Sequence, residues 1–171
     1  IASAHKNNNN LFFTGTLTDE TCTNINDALL NYKNKIFLSG DLDQHINLYI
    51  QSPGGSLMPT LALVDEIKNF PIPIYTYVRG YAASAATLLS VVGKKRFIYK
   101  HSIMMVHSIK YGGAEVNSLL DVKDLNDNTD LLMSIIKEIY LENTNLSSYQ
   151  LNKMFMHDKW MNSKSALHYG L

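Results

Sequence analysis

The chain has 171 residues, 46% of them hydrophobic, and 15 Lys+Arg balance 15 Asp+Glu to a formal net charge of +0. That length suits one domain with a buried core. The charge balance leaves no basic field to neutralise a phosphate backbone, so no nucleic-acid partner is expected, and near-zero charge favours self-association.

The opening IASAHKNNNN ends in a polar tract with little to bury, so residues 1–10 are expected to form a flexible arm ahead of a single domain over residues 11–171. It lacks the charged start and apolar core of a signal peptide. LFFTG reads as a short strand. DETCTNINDALLNYKN then carries Ile25, Ala28 and Leu29 at helical spacing. Cys22, the single cysteine, has no base nearby in sequence and reads as a buried small apolar residue. A lone cysteine points to a reducing compartment, cytoplasmic or a plastid-type organelle stroma.

INLYIQ alternates Ile46, Leu48 and Ile50 against Asn47, Tyr49 and Gln51, a strand pattern that SPGGS ends. LMPTLALVDEIKNF predicts a helix in which Pro59 is tolerated because it falls in the first turn. Pro71 and Pro73 bound the next strand, IYTYV. GYAASAATLLSVV follows as turn and helix, stopped by Gly93 in the manner of a C′ residue. KRFIY and SIMMVHS read as two strands joined by a turn at Lys100-His101. From about Glu115 to Asn143 a long helical pattern sets Val116, Leu119, Leu120, Leu132, Ile135, Ile136 and Ile139 on one face. A helix that long is expected to leave the core and find a partner. Ser147 and Gln150 have capping-box spacing, and SKSALHY forms a last helix stopped at Gly170. Strands alternating with helices argue for an α/β fold with a largely parallel sheet. No run reaches the roughly 20 apolar residues of a membrane span, so no membrane partner is expected.

The residues with chemical potential cluster at two turns. In IYTYVRGYAASAATLLSVVG, a strand, a glycine turn and a helix place Ser84 at or beside a helix N-terminus. Its neighbours Ala82, Ala83, Ala85 and Ala86 let another backbone approach. The run is not the G-x-S-x-G elbow, and on its own it fits a packing seam at least as well. In SPGG, Gly54 and Gly55 bare backbone N–H groups that suit an oxyanion, or simply turn the chain.

A serine needs a base, and His107 at the end of SIMMVHS is the histidine best placed to be held rigidly. His5 lies in the arm, His45 and His101 in turns, and His157 and His168 near helices. An orienting carboxylate is also needed, but composition cannot pick Asp158 from 15 acidic residues. Asp121 and Asp124 read as solvated helix positions. His157-Asp158 resembles a metal pair without the companions a metal site requires, so no metal is expected.

These segments, in this order, resemble a known family. LFFTG, LYIQSPGGS, GYAASAATLLSVVGKKRF, SIMMVHS, Gly112-Gly113 and HDKWMNSKSALHYGL are similar to the proteolytic subunit of the ATP-dependent Clp protease, the ClpP family. The resemblance runs from about Leu11 to Leu171, with steps of 29 from Gly55 to Ser84, 23 to His107 and 51 to Asp158. It implies the ClpP/crotonase-like fold of repeated β-β-α units with a protruding handle helix, here about residues 112–143. It further implies a serine endopeptidase assembled as stacked heptameric rings. On that resemblance Ser84 is the nucleophile, His107 the general base and Asp158 its orienting carboxylate, in a chain order expected of a convergent triad. Gly55 and Ala85 match the oxyanion hole, Gly54, Ser56 and Leu57 the segment beside which a peptide lies, and Tyr49 a docking aromatic. The implied partners are an AAA+ unfoldase and unfolded polypeptide. The chain has no G-x-x-x-x-G-K-[ST], so ATP is expected to enter only through that unfoldase, with no cofactor in this chain.

The departures from the family are local. Ser108-Ile109 follow His107 where Gln-Pro is usual, Ala85 replaces a larger residue, and Asn47 stands where a second aromatic is common. The arm is not the usual axial loop, and YGL ends short of the usual last strand. The alternatives are an inactive structural subunit of a mixed ring (ClpR-type) and a Ser/Lys enzyme using Lys94 or Lys95. Those lysines close the helix that Ser84 opens, more than two turns away.

Overall fold

A computed structural model describes residues 9–41, 43–110 and 119–171. Residues 1–8 of the expected arm, Gly112-Gly113, Val116 and the handle before residue 119 lie outside the described residues, as do the side chains of Leu119 and Leu120. The arm's last two expected residues instead join the sheet, Asn10 opposite Asn47 and the Asn9 carbonyl accepting from Asn47 N–H.

The first half of the chain runs as three β-α steps. β1 (Asn10–Thr14) leads to α1 (Asp19–Ser39), β2 (Ile46–Ser52) to α2 (Leu57–Asn69), and β3 (Ile74–Ala83) to α3 (Ala85–Val91). β4 (Lys95–Ile98) and β5 (Ile103–Val106) follow, then α4 (Leu119–Asn143), α5 (Ser148–Phe155), β6 (Lys159–Asn162) and α6 (Ser163–Tyr169). The sheet runs β1-β2-β3-β5-β6, with β4 also on β3; every pairing is parallel except β5 with β6. This is the α/β architecture expected of a ClpP/crotonase-like fold. The second strand of the first two units shrinks to one parallel bridge, Leu17 with Gly55, that precedes α1 and α2.

The strand pattern sorts the two faces of the sheet. Ile46, Leu48 and Ile50 are fully buried and join Leu17, Leu29, Leu88, Leu89 and Leu151 in one core. Each such side chain contributes about 1.5–3 kcal/mol by leaving water. Cys22 is buried as well, and burial pushes its thiol up, as fits an inert packing residue.

β3 is longer than IYTYV suggests, and its extra length positions the site. Tyr75–Val78 pair with β4, and Tyr81–Ala83 pair with β5. Between them the chain bends at Gly80, φ +81°, whose N–H donates to Ser102 Oγ at 2.8 Å. Ser102 Oγ in turn donates to the Val78 carbonyl at 3.1 Å. Two short strands thus share one edge of β3, with the expected turn between them.

β6 was not legible in KWMN, because only Met161 of its four residues is buried. Gly93 follows the C-cap of α3 but lacks the positive φ of a left-handed stop. It is glycine for another reason: a Cβ there would meet Thr76 Oγ1 at 2.4 Å. In α4, residues 121–124 are exposed, whereas Ile136, Ile139 and Tyr140 are buried, so the helix leaves the core as its length predicted.

Candidate active site

Register brings the expected residues together. Ala83 on β3 lies opposite Met105 on β5, so both strands leave the sheet at the same end. Ser84 and His107 are the next residues out. Ser84 N–H donates to the Met105 carbonyl at 2.8 Å, and Ser84 Oγ lies 2.7 Å from His107 Nε2. β6 runs antiparallel to β5 with Lys159 opposite Val106, which places Asp158 beside His107. Lys94 and Lys95 are exposed beyond the far end of α3, and the Ser84 hydroxyl is paired with a histidine rather than with them.

The backbone at Ser84 is strained. Its φ of 54° and ψ of −131° make it the one non-glycine with positive φ among the described residues. Such a conformation costs of order 1–3 kcal/mol and persists where the surroundings impose it. Ser84 occupies the N-cap position of α3, yet its side chain makes no capping bond. Beneath it, Thr87 Oγ1 donates to the Ser84 carbonyl at 2.5 Å and accepts from the fully buried Tyr140 hydroxyl. Burial pushes the Tyr140 phenol up, so it stays a neutral donor.

The glycine turn packs directly on this strained turn. A Cβ on Gly54, φ +95°, would meet the Ala83 carbonyl and Ser84 Cβ, each at 2.7 Å, and the Ala85 nitrogen at 3.0 Å. Gly54 N–H donates to Ser52 Oγ at 3.0 Å, and its carbonyl accepts from Leu17 N–H at 2.8 Å. Ser56 N–H donates to the Leu17 carbonyl at 2.8 Å, and its own carbonyl accepts from Thr60 Oγ1 at 2.7 Å. Gly54 and Ser56 are therefore committed internally. Among the described residues, the Gly55 N–H and carbonyl are left without a backbone partner. Leu57 opens α2.

A cavity of about 730 Å³ adjoins Ser84 and His107. Its apolar wall is Leu88, Met105, Leu132, Ile136 and Tyr140; the departures Ser108, Ile109 and Ala85 line it too.

The electrostatics around His107 are unusual. His107 Nδ1 is buried and without a hydrogen-bond partner. Asp158 Oδ1 stands 3.7 Å away, beyond hydrogen-bond reach. Burial and the nearby Lys110 cation lower the His107 pKa, against the pull of Asp158. Lys110 was not singled out in sequence. Its Nζ donates to Asp158 Oδ1 at 2.7 Å and Oδ2 at 3.0 Å, and holds that carboxyl below the usual range.

Tyr49 belongs to a larger surface than one residue. Phe12, Tyr49, Tyr77 and Phe97 sit in register on β1 to β4 and stack with centroids 4.6 Å apart at each step. Phe12 and Phe97 are exposed. Alternation in INLYIQ sets Tyr49 on the face opposite Ile46, Leu48 and Ile50, but only strand order aligns the four rings. Asn47 flanks this ladder, donating to Asn10 Oδ1 at 2.8 Å.

Among the described residues no three His, Cys, Asp or Glu side chains converge on a metal-sized site, and no helix is long and apolar enough to cross a membrane.

The family model for Clp protease matches residues 1–171. The chain is similar to the ATP-dependent Clp protease proteolytic subunit 1 of Cutibacterium acnes, 30% identical over 164 residues, covering 94% of this chain and 74% of that protein. It is 31% identical over 169 residues to the ATP-dependent Clp protease proteolytic subunit of Porphyromonas gingivalis, covering 94% and 71%. It is 34% identical over 131 residues to the ATP-dependent Clp protease proteolytic subunit 1 of Chlamydia trachomatis, covering 75% and 68%.

Proposed function

The chain belongs to the Clp protease family and is a peptidase of the serine type that family implies, and we propose that Ser84, His107 and Asp158 are its catalytic triad. The 2.7 Å contact between Ser84 Oγ and His107 Nε2 carries this reading. The hydroxyl sits on a strained turn and caps nothing, so packing does not account for it.

The mechanism follows from the placement. His107 Nε2 takes the Ser84 proton as Oγ attacks the carbonyl carbon of a peptide. The tetrahedral oxyanion accepts from the Gly55 and Ala85 N–H groups. His107 then protonates the leaving amine, the C–N bond breaks, and an acyl-serine remains. Water, deprotonated by His107, hydrolyses that ester and restores Ser84. The peptide lies extended along Gly55, whose backbone groups suit strand addition. Gly54 and Ser56 shape that edge, and Leu57 begins the helix behind it. The apolar wall favours an apolar residue before the scissile bond. In a peptide library, cleavage after Leu, Met or Phe should exceed cleavage after Asp or Lys by about tenfold or more; equal rates would contradict this.

The substrate is unfolded polypeptide, cut inside stacked heptameric rings to which α4 contributes as a handle. ATP is hydrolysed by a separate AAA+ unfoldase that docks on the aromatic ladder around Tyr49. The compartment is a reducing one. Tyr49→Ala should cut unfoldase-driven degradation of a folded protein by about tenfold or more while peptide cleavage changes less than about twofold. Unchanged degradation would remove the ladder from docking.

The direct test is fluorophosphonate labelling of wild type and Ser84→Ala, followed by size exclusion with mass detection. Label on wild type alone, at tetradecamer mass, is expected. A second reading, an inactive structural subunit of a mixed ring, draws on the 3.7 Å gap between Asp158 and His107. An unlabelled but ring-sized wild type would favour it.

A further inference from the structure

Lys110 has no part in the mechanism above, yet it holds the triad carboxylate. Asp158 Oδ1 is the 2.7 Å acceptor of Lys110 Nζ and also the oxygen nearest His107 Nδ1, at 3.7 Å. Two donors compete for one oxygen, and the cation has it. The buried Nδ1 is left with no hydrogen-bond partner.

Resting on the triad reading, we propose that Lys110 is a positioning residue that acts on His107 through Asp158, drawing the carboxylate off Nδ1 and so setting how much of His107 is held in the productive tautomer. For Nε2 to accept the Ser84 proton, the ring proton must sit on Nδ1. An acceptor at Nδ1 is what selects that tautomer. With Oδ1 at 3.7 Å, that selection is weak, and Nε2–H can instead donate across the same 2.7 Å contact to Ser84 Oγ. That second arrangement is unproductive.

Among the described residues, few charged or titratable groups face His107. Lys110 comes from its own loop and Asp158 from the turn before β6, while Asp19 of α1 and Tyr140 of α4 line the same cavity. Lys110 opposes a positive imidazole and Asp158 favours one. The clamp is also loose. The Lys110 side chain is 61% exposed and that of Asp158 46%, and ion pairs this open are weak and exchange readily. Lys110 itself lines the cavity that takes the peptide. A substrate carbonyl that draws Lys110 away frees Asp158 to close by about 1 Å onto Nδ1.

The test pairs two readouts on the assembled protein: solid-state NMR of 15N-labelled histidine, with His107 identified by difference from His107→Gln, and peptide kinetics across pH. Lys110→Met should move His107 from mixed tautomers to the Nδ1–H form. It should raise kcat about threefold to tenfold with KM within twofold. Because Lys110 lowers the His107 pKa and the base must be neutral, its removal should shift the acid limb of the pH–rate profile to higher pH. Lys110→Arg, which keeps the charge and the clamp, should behave as wild type. An unchanged tautomer ratio in Lys110→Met, or a kcat and acid limb that do not move, overturns the proposal. A tautomer that responds in proteins that never label at Ser84 supports the clamp and overturns the triad reading instead.

Discussion

Ser84→Ala lowers kcat/KM for a fluorogenic peptide by about 10⁴-fold or more while leaving the fold intact. Both halves of this expectation come from the same few contacts. The Ser84 hydroxyl has His107 Nε2 as its partner and makes no capping bond to α3. The backbone bonds at this residue, from Ser84 N–H to Met105 and from Thr87 to the Ser84 carbonyl, do not involve the hydroxyl. Alanine meets the same strain at φ 54° that serine does. The stability change is therefore about 0.5 kcal/mol or less, in the range of substitutions that remove no structural contact. A packing residue in a run of alanines would also leave the fold intact, since alanine fits such a seam, but its replacement would not cost turnover. Kinetics and a thermal melt on the same sample check the pair, and retained turnover by Ser84→Ala would refute the assignment.

Much of the fold was legible because its strongest elements carry their own period. Ile46, Leu48 and Ile50 alternate, and all are buried. Ser147 and Gln150 were read as a capping box, and both reciprocal bonds are present. Elements that depend on neighbours were not legible. The end of β3 passes through Gly80 into alanines, which carry no strand signature, and exists because β5 and Ser102 hold it. β6 has one buried residue and exists because β5 offers an edge. The site divides in the same way. Ser84 and the glycines announce turns locally, whereas Asp158 is one of 15 acidic residues until an antiparallel register sets it beside His107. Only the resemblance to a family singled it out beforehand. Lys110 stands 48 residues from Asp158 in a loop with no period, so no pattern announced that pair.

Gly55→Ala removes the site by a route opposite to Ser84→Ala, through the backbone. A Cβ at Gly55, φ +151°, would stand 2.1 Å from the Leu17 carbonyl oxygen and 2.7 Å from the Leu17 nitrogen. Both are main-chain atoms, and Leu17 is fully buried, so neither can swing aside as a flexible side chain would. Relief requires breaking the Leu17–Gly55 bridge, which costs the bonds from Leu17 N–H to Gly54 and from Ser56 N–H to Leu17. Gly54 packs so close to the Ser84 turn that a Cβ there would meet Ser84 Cβ at 2.7 Å and the Ala85 nitrogen at 3.0 Å, so any shift of the turn moves the proposed oxyanion donors with it. The expected cost is roughly 2–4 kcal/mol of stability, with peptide cleavage falling about 10²-fold or more in whatever remains folded. Gly15→Ala separates the two causes. Gly15 also has a positive φ, +123°, but a Cβ there meets nothing within 4 Å. It suffers the backbone strain without the clash and does not line the cavity beside Ser84, so it should lose some stability and keep its activity. If Gly55→Ala melts and cleaves like Gly15→Ala, the bridge does not hold the oxyanion donors, and the glycine turn is only a turn.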